Sequence, residues 1–319
     1  MAHVTARLDA SEIIQPTATD NASRRAAVAA GGTVFLWSSA FVVIRDAGHA
    51  LSPAPLALMR LAVAAVALTA LVLVQSSRPA RRPRTWTSAG LVVAYGVVWL
   101  AGYTVALNAG ERHIDAGTAA LLVSLAPLMI TFGAGLFLGE GYPRALILGS
   151  IVALSGVAVI AMDSSGGGDW IGVVLCLIAA VLFTAGMLIQ KVTLRHVDGL
   201  TATWLACVAG SVALAPPWAP QLVDELGSAS GGAIAGAIYL GLFPTAIGFV
   251  TWSYALSRTH TGRLGATTYV APALAVLMSW LLLSETPTTY GIVGGAICLI
   301  GVGISRRRSQ PGSLAVGKS

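Results

Sequence analysis

The feature that most limits this chain is a succession of apolar runs, each about 20 residues long, separated by short polar breaks. A bilayer core about 30 Å thick is crossed by roughly 20 apolar residues in a helix. Ten runs approach that length: 27–44, 53–75, 87–108, 116–138, 143–162, 169–190, 200–218, 232–256, 264–284 and 289–305. Helix satisfies every backbone group within one segment, as a chain in lipid requires, so the runs are read as helices and not strands. Proline and glycine mark the breaks. Ser52-Pro53, Tyr142-Pro143 and Thr286-Pro287 put proline near a helix start, where its missing N–H costs nothing. The stretches from Ser164 to Asp169 and from Gly227 to Gly232 read as linkers.

Composition agrees. Of 319 residues, 56% are hydrophobic and only 10% charged, against roughly 25% charged in soluble chains. The net charge of +6 does not indicate nucleic acid, because the charges sit in short clusters between apolar runs with no aromatic-rich basic face. Cys176, Cys207 and Cys298 all lie inside apolar runs and read as packing residues, without disulfide or metal spacing. The first 26 residues are polar and mixed in charge, which predicts a flexible tail and no signal peptide.

Lysine and arginine set the orientation. With the N-terminus inside, the inner segments hold Arg7, Arg24, Arg25, Arg78, Arg81, Arg82, Arg84, Arg144, Lys191, Arg195, Arg258, Arg263, Arg306, Arg307, Arg308 and Lys318. The outer segments hold only Arg45 and Arg112, and Arg60 lies within a span. The asymmetry predicts ten helices with both termini cytoplasmic.

The chain also repeats itself. Residues 124–160 align without a gap on 269–305, with ten identities that include Ala126-Pro127 on Ala271-Pro272, Glu140 on Glu285, Gly149 on Gly294 and Gly156-Val157 on Gly301-Val302. Duplicating a unit of five spans inverts its second copy. The fold expected is therefore an all-α integral membrane protein of about ten transmembrane helices, arranged as two five-helix inverted-topology repeats. The first repeat would cover 27–162 and the second 169–305, between a flexible tail at 1–26 and a basic tail at 306–319. Inverted repeats recur in secondary transporters, with the substrate site near the midplane between the halves.

Certain residues carry a family resemblance. They are Leu36-Trp37-Ser38-Ser39-Ala40-Phe41, Ser52-Pro53, Met59-Arg60 and the repeated alanine-proline, leucine, glutamate and glycine block. In their order and spacing, over about residues 27–305, the chain resembles the EamA-type transporters of the drug/metabolite transporter superfamily. That resemblance implies ten helices, a central cavity between the halves and export of amino acids or other small metabolites. Trp37-Ser38 stands where the family often has tryptophan-glycine, and the second repeat has Ala206 near the position equivalent to Arg60.

Arg60 is the one charge clearly inside a span. It is read either as a group that grips a substrate carboxylate or as one that snorkels or pairs with backbone. Trp37, Trp99, Tyr103, Trp252 and Tyr269 lie deep on helices that the resemblance places around the cavity. They either line it or pack behind it. Pro127 and Pro272 are expected to kink their helices for gating or cavity shape. Glu140 and Glu285 sit before helix starts, where the helix dipole explains them, and no acid lies in the middle of a span. A buried carboxylate able to carry protons is therefore not evident.

Gly312 to Ser319 fits a phosphate-loop expression but lacks the following helix. Gly232 to Gly236 reads as a close helix contact, and Asn21-Ala22-Ser23 as a sequon in a cytoplasmic tail. No histidine has ligand spacing, so neither metal nor cofactor is expected. The partners expected are a small-molecule substrate and the bilayer, and oligomeric state is open. A membrane enzyme would need clustered His, Asp or Glu, and an ion channel a polar ring. Transport of a small metabolite across the plasma (inner) membrane remains the leading expectation, with export of lipophilic drugs or cations as the alternative.

Overall fold

The structure is a computed structural model that describes residues 18–75, 82–126, 128–129, 144–162, 169–258, 267–268 and 270–305. Pro127, Glu140 and Tyr269 lie outside these residues. Every element among the described residues is helical. In chain order they are α1 (Ala18–Ala47), α2 (Pro53–Val74), α3 (Trp86–Gly110), α4 (Ala116–Val123), α5 (Arg144–Ala161), α6 (Asp169–Thr193), α7 (Gly199–Ser228), α8 (Gly231–Arg258), α9 (Val270–Leu283) and α10 (Thr289–Ser305). Of these, α1, α2, α3, α6, α7 and α8 are long and apolar enough to cross a membrane, and α5, α9 and α10 are shorter apolar helices. The outer surface is apolar as well. Val66, Leu154, Leu282 and Ile300 are all exposed, as suits a bundle whose solvent is lipid.

Local chemistry explains the helix starts. Pro53 opens α2, and the Asp115, Asp198 and Ser230 side chains accept from the N–H three residues on, capping α4, α7 and α8. Two boundaries depart from expectation. Helix α1 begins at Ala18, inside the stretch read as a flexible tail. The span predicted to end at 218 continues as α7 to Ser228, through Pro216, Pro217 and Pro220. Proline's fixed φ suits a helix, so each ring costs a local hydrogen bond without ending the element. Tertiary contact holds the extension, because Glu225 Oε2 accepts the Ser52 N–H at 2.8 Å and so satisfies the start of α2.

Helices α3 and α8 each contain a π-helical stretch, Tyr95–Tyr103 and Gly241–Ile247. Such i→i+5 segments are rare and concentrate at functional sites. These two lie at corresponding positions, close to 145 residues apart.

Packing follows the same correspondence. Helix α1 packs on α8 and α9, and α6 packs on α3 and α4. Helix α2 packs on α8, and α7 on α3, while α5 meets α10 and α2 meets α7. Exchanging the first five helices for the last five maps these contacts onto one another. Atomic details do the same. Ser38 Oγ donates to Ala271 O at 3.1 Å, and Thr184 Oγ1 donates to Ala126 O at 3.2 Å. A Cβ on Gly96 would lie 2.3 Å from Ala206 O, and one on Gly241 would lie 2.7 Å from Arg60 O. Between α5 and α10, Gly156 faces Gly294 and Gly301 faces Gly149, so the two helices cross antiparallel with backbone against backbone.

Candidate functional site

The site begins with α2, which places Arg60 inside the bundle, 4% exposed. Its Nε donates to Thr245 Oγ1 at 2.6 Å, and Thr245 Oγ1 donates onward to Leu240 O at 2.7 Å. That second bond spans five residues and belongs to the π-helical stretch of α8, where Pro244 supplies no N–H. The Pro244 carbonyl accepts from Trp37 Nε1 at 3.2 Å. The irregular turn of α8 thus fixes the orientation of both Arg60 and Trp37. Arg60 Nη1 remains buried with no partner among the described residues.

Aromatic rings surround this group. Trp37 lies with its ring centroid 4.9 Å from that of Trp252, 5.2 Å from Phe249, 6.0 Å from Phe183 and 6.3 Å from Trp99. Phe183 also meets Trp99 at 5.0 Å and Tyr103 at 5.6 Å, edge to face. Trp99 can sit here because α6 carries glycine opposite it. A Cβ on Gly186 would fall 2.2 Å from Trp99 Cβ. The π-helical stretch of α3 carries both Trp99 and Tyr103.

These groups enclose a cavity of about 60 Å³. Trp37, Arg60, Trp99, Tyr103 and Pro272 line it, so five of the residues singled out in the sequence come together. Trp252 is fully buried, its ring tilted against that of Trp37, and it is not among the residues that line the cavity. The Trp99 Nε1–H, like Arg60 Nη1, has no acceptor among the described residues. No acidic side chain is among the described residues that line the cavity.

Sequence reasoning overlooked Phe183, Phe249 and Thr245. The phenylalanines have no polar handle, and Thr245 is one of many threonines, so only a tertiary neighbour distinguishes them. Glu111 was overlooked although a signal existed. Tyr95, Trp99, Tyr103, Leu107 and Glu111 recur every fourth residue along α3 and share one face. The stripe runs from a polar network at one end, through the cavity, to a buried acid at the other.

Polar contacts tie both ends. At one, Gln190 Nε2 donates to Tyr95 Oη at 2.9 Å and to Ser253 Oγ at 3.0 Å, joining α6, α3 and α8. At the other, Arg45 Nε pairs with Glu285 Oε2 at 3.2 Å and Arg45 Nη1 donates to Glu111 O at 2.6 Å. Glu285 is thus an ion-pair partner of α1, beyond any interaction with the dipole of α10. A left-handed turn at Ser284, φ 56°, delivers it there.

We expect Thr245→Val to leave Arg60 without its oriented acceptor while keeping the volume. Losing one hydrogen bond from a charged donor costs about 1.5–3 kcal/mol. Thermal unfolding in detergent should register part of that loss, and a melting temperature equal to wild type would show that Arg60 is held by other means.

Comparison with known proteins adds family. The EamA-like transporter family model matches residues 24–162 and again residues 170–307. The chain is 37% identical over 277 residues to a probable terminal-alkyne amino-acid exporter of Streptantibioticus cattleyicolor, covering 87% of this chain and 92% of the relative. It is 30% identical over 278 residues to an uncharacterized transporter of Archaeoglobus fulgidus, covering 86% of this chain and 96% of that one. With a probable amino-acid metabolite efflux pump of Escherichia coli it shares 26% identity over 296 residues, 89% and 95% of the two chains. A crystal structure at 19% identity superposes with a TM-score of 0.62 over 90% of this chain and 100% of that one, which supports the fold alone. Two family matches spanning nearly all of a helical, apolar chain place it in the membrane as a transporter, and it belongs to the EamA-like transporter family of the drug/metabolite transporter superfamily.

Proposed function

We propose that the protein exports a small carboxylate-bearing metabolite, such as an amino acid, across the plasma membrane by alternating access around the central cavity. The observation that carries this reading is Arg60. Its buried guanidinium lines the cavity together with Trp99, neither Arg60 Nη1 nor Trp99 Nε1 has a partner among the described residues, and no acid is among the described lining residues. Two unpartnered donors on residues that line the cavity suit an anionic acceptor, and arginine grips a carboxylate through parallel bonds. The ring wall around them suits an apolar substrate body. Two relatives named as amino-acid exporters point the same way.

In this reading ten spans form two inverted five-helix repeats, residues 27–162 and 169–305, with both termini cytoplasmic. The exchange of helix contacts between halves and the antiparallel glycine crossing of α5 and α10 support it. So does the concentration of lysine and arginine in the inner segments. The cavity holds no more than a handful of waters at its present size. Substrate entry therefore needs the halves to separate at one end, and the polar contacts at each end are what must break. Pro272, which lines the cavity from α9, is the bending point in this reading, and Pro127, its counterpart in the sequence repeat, and Tyr269 are assigned to gating and to the site from the sequence alone.

Export of lipophilic cations is the competing reading, and the buried positive charge of Arg60 and the lack of a carboxylate among the described lining residues disfavour it. The deciding experiment is uptake into inside-out vesicles of labelled amino acids and of lipophilic cations, with and without a proton gradient. Uptake of an amino acid is the expected result. Uptake of cations alone would replace this reading with drug export.

Trp37→Ala should broaden or shift the substrate range, because it opens the wall facing Phe183 and Phe249. Trp252→Ala should instead destabilise, by about 3–5 kcal/mol for a buried aromatic. Equal loss of every substrate in Trp37→Ala, at normal expression, would assign that ring to packing alone.

A further inference from the structure

We infer that Glu111 is a proton-binding site that closes the outer end of the bundle, so that opening there is linked to release of its proton. The inference rests on the proposed orientation for the word outer; the site itself does not.

Glu111 follows the last residue of α3, one position beyond the span, yet only 1% of it is exposed. Neither carboxyl oxygen has a hydrogen-bond partner among the described residues. The neighbouring arginine does not serve them. Arg45 donates through Nη1 to the Glu111 backbone carbonyl and pairs through Nε with Glu285. An ionised carboxylate buried without donors costs several kcal/mol, whereas a neutral carboxyl costs far less. A second unpartnered atom belongs to a residue lining the same cavity. Asn108, one turn earlier on α3, gives its Nδ2–H to Pro53 O, and its Oδ1 is buried with no donor among the described residues. Glu111 and Asn108 both line a cavity of about 200 Å³ under Arg45 and His49. A carboxylate can give Asn108 nothing, but a protonated carboxyl brings the O–H that an orphaned amide oxygen accepts.

The charged and titratable groups around Glu111 come from several packed elements. Arg45 and His49 come from α1, Arg60 from α2, Tyr103 and Arg112 from α3 and its following turn. Asp115 caps α4, Cys176 lies on α6, and Glu285 precedes α10. Burial dominates and pushes the Glu111 carboxyl well above the usual carboxylate range. Arg45 and Arg60 oppose that, and Asp115 and Glu285 reinforce it.

The sign of the linkage follows. A hydrated glutamate releases its proton at about pH 4.3. Buried in the closed state, Glu111 holds it to a higher pH. The proton comes from the outer solution, forms the O–H bond on the Glu111 carboxylate, and leaves when the end opens and water returns. Closure is thus fully favoured below the hydrated value and weakens as pH rises through the raised one. Acid outside closes the outer end and alkali opens it.

Two measurements on the full chain reconstituted in liposomes test this. The infrared carboxylic-acid C=O band should be present in wild type at neutral pH. It should disappear in Glu111→Gln, persist in Glu285→Gln and return in Glu111→Asp. This readout needs no substrate, so it decides the protonation even if no amino acid is transported. For a transported substrate, the wild-type rate should vary with external pH and the Glu111→Gln rate should not. A band that survives Glu111→Gln, or a wild-type rate indifferent to external pH, overturns the inference.

Discussion

Arg60→Ala should lower transport of a carboxylate substrate by about 10- to 150-fold, which is the 1.5–3 kcal/mol of a hydrogen bond to a charged group. The structure gives the reason for expecting the full range. Arg60 is buried, its Nε is already committed to Thr245, and Nη1 has no other partner among the described residues. Nothing else described in the cavity wall carries positive charge, so no neighbour can take over. Arg60→Lys should recover only part of the activity, because an ammonium cannot hold Thr245 and a bidentate carboxylate together. The measurement is uptake into inside-out vesicles alongside the amount of inserted protein. Full transport in Arg60→Ala, at normal insertion, would reduce Arg60 to a structural donor for the α8 turn and remove the basis of the carboxylate reading. An apolar cation, if carried at all, should be carried no worse by the alanine variant.

The second large effect lies in the α5–α10 crossing. A Cβ on Gly156 would stand 2.5 Å from Gly294 O, and one on Gly294 would stand 2.6 Å from Gly156 O. Both obstacles are backbone, which cannot swing aside as a side chain does. Gly156→Val or Gly294→Val should therefore force the helices apart, at about 1–3 kcal/mol or more for overpacking a tight interface. Separation would also pull on the adjoining contact in which Cys298 Sγ donates to Ala153 O at 3.3 Å. Because each new side chain meets the other glycine, the two substitutions should be less than additive when combined. Thermal unfolding of the detergent-solubilised protein reads this directly. A melting temperature equal to wild type in either single variant would show that the crossing is looser than the structure depicts. Gly303, with nothing within 4 Å of its added Cβ, is the control on the same helix.

What the sequence by itself determined is what repeats along one dimension. Apolar length gave helices in a membrane, because lipid leaves a backbone no other way to satisfy itself. The doubled proline, glutamate and glycine spacing revealed two related halves. Arg60 stood out because a lone charge inside an apolar run is costly wherever it lands. The order of Trp37, Ser38, Pro53 and Arg60 brought the family into view before any coordinate.

Tertiary structure decided which of these residues meet. Trp37 and Trp252 are alike in sequence, yet the first lines the cavity and the second packs behind it, since only the approach of α8 distinguishes their faces. Phe183 and Phe249 joined the wall from helices where nothing local marked them. Thr245 became the partner of Arg60 only because a π-helical turn rotated it there. Glu111 reads from the sequence as an ordinary acid at a helix end, where water would serve it. Burial is a property of what other chain segments cover, so the acid's exclusion from water is decided by tertiary packing, where Arg45 reaches both its backbone carbonyl and Glu285, 240 residues away from Arg45 in sequence.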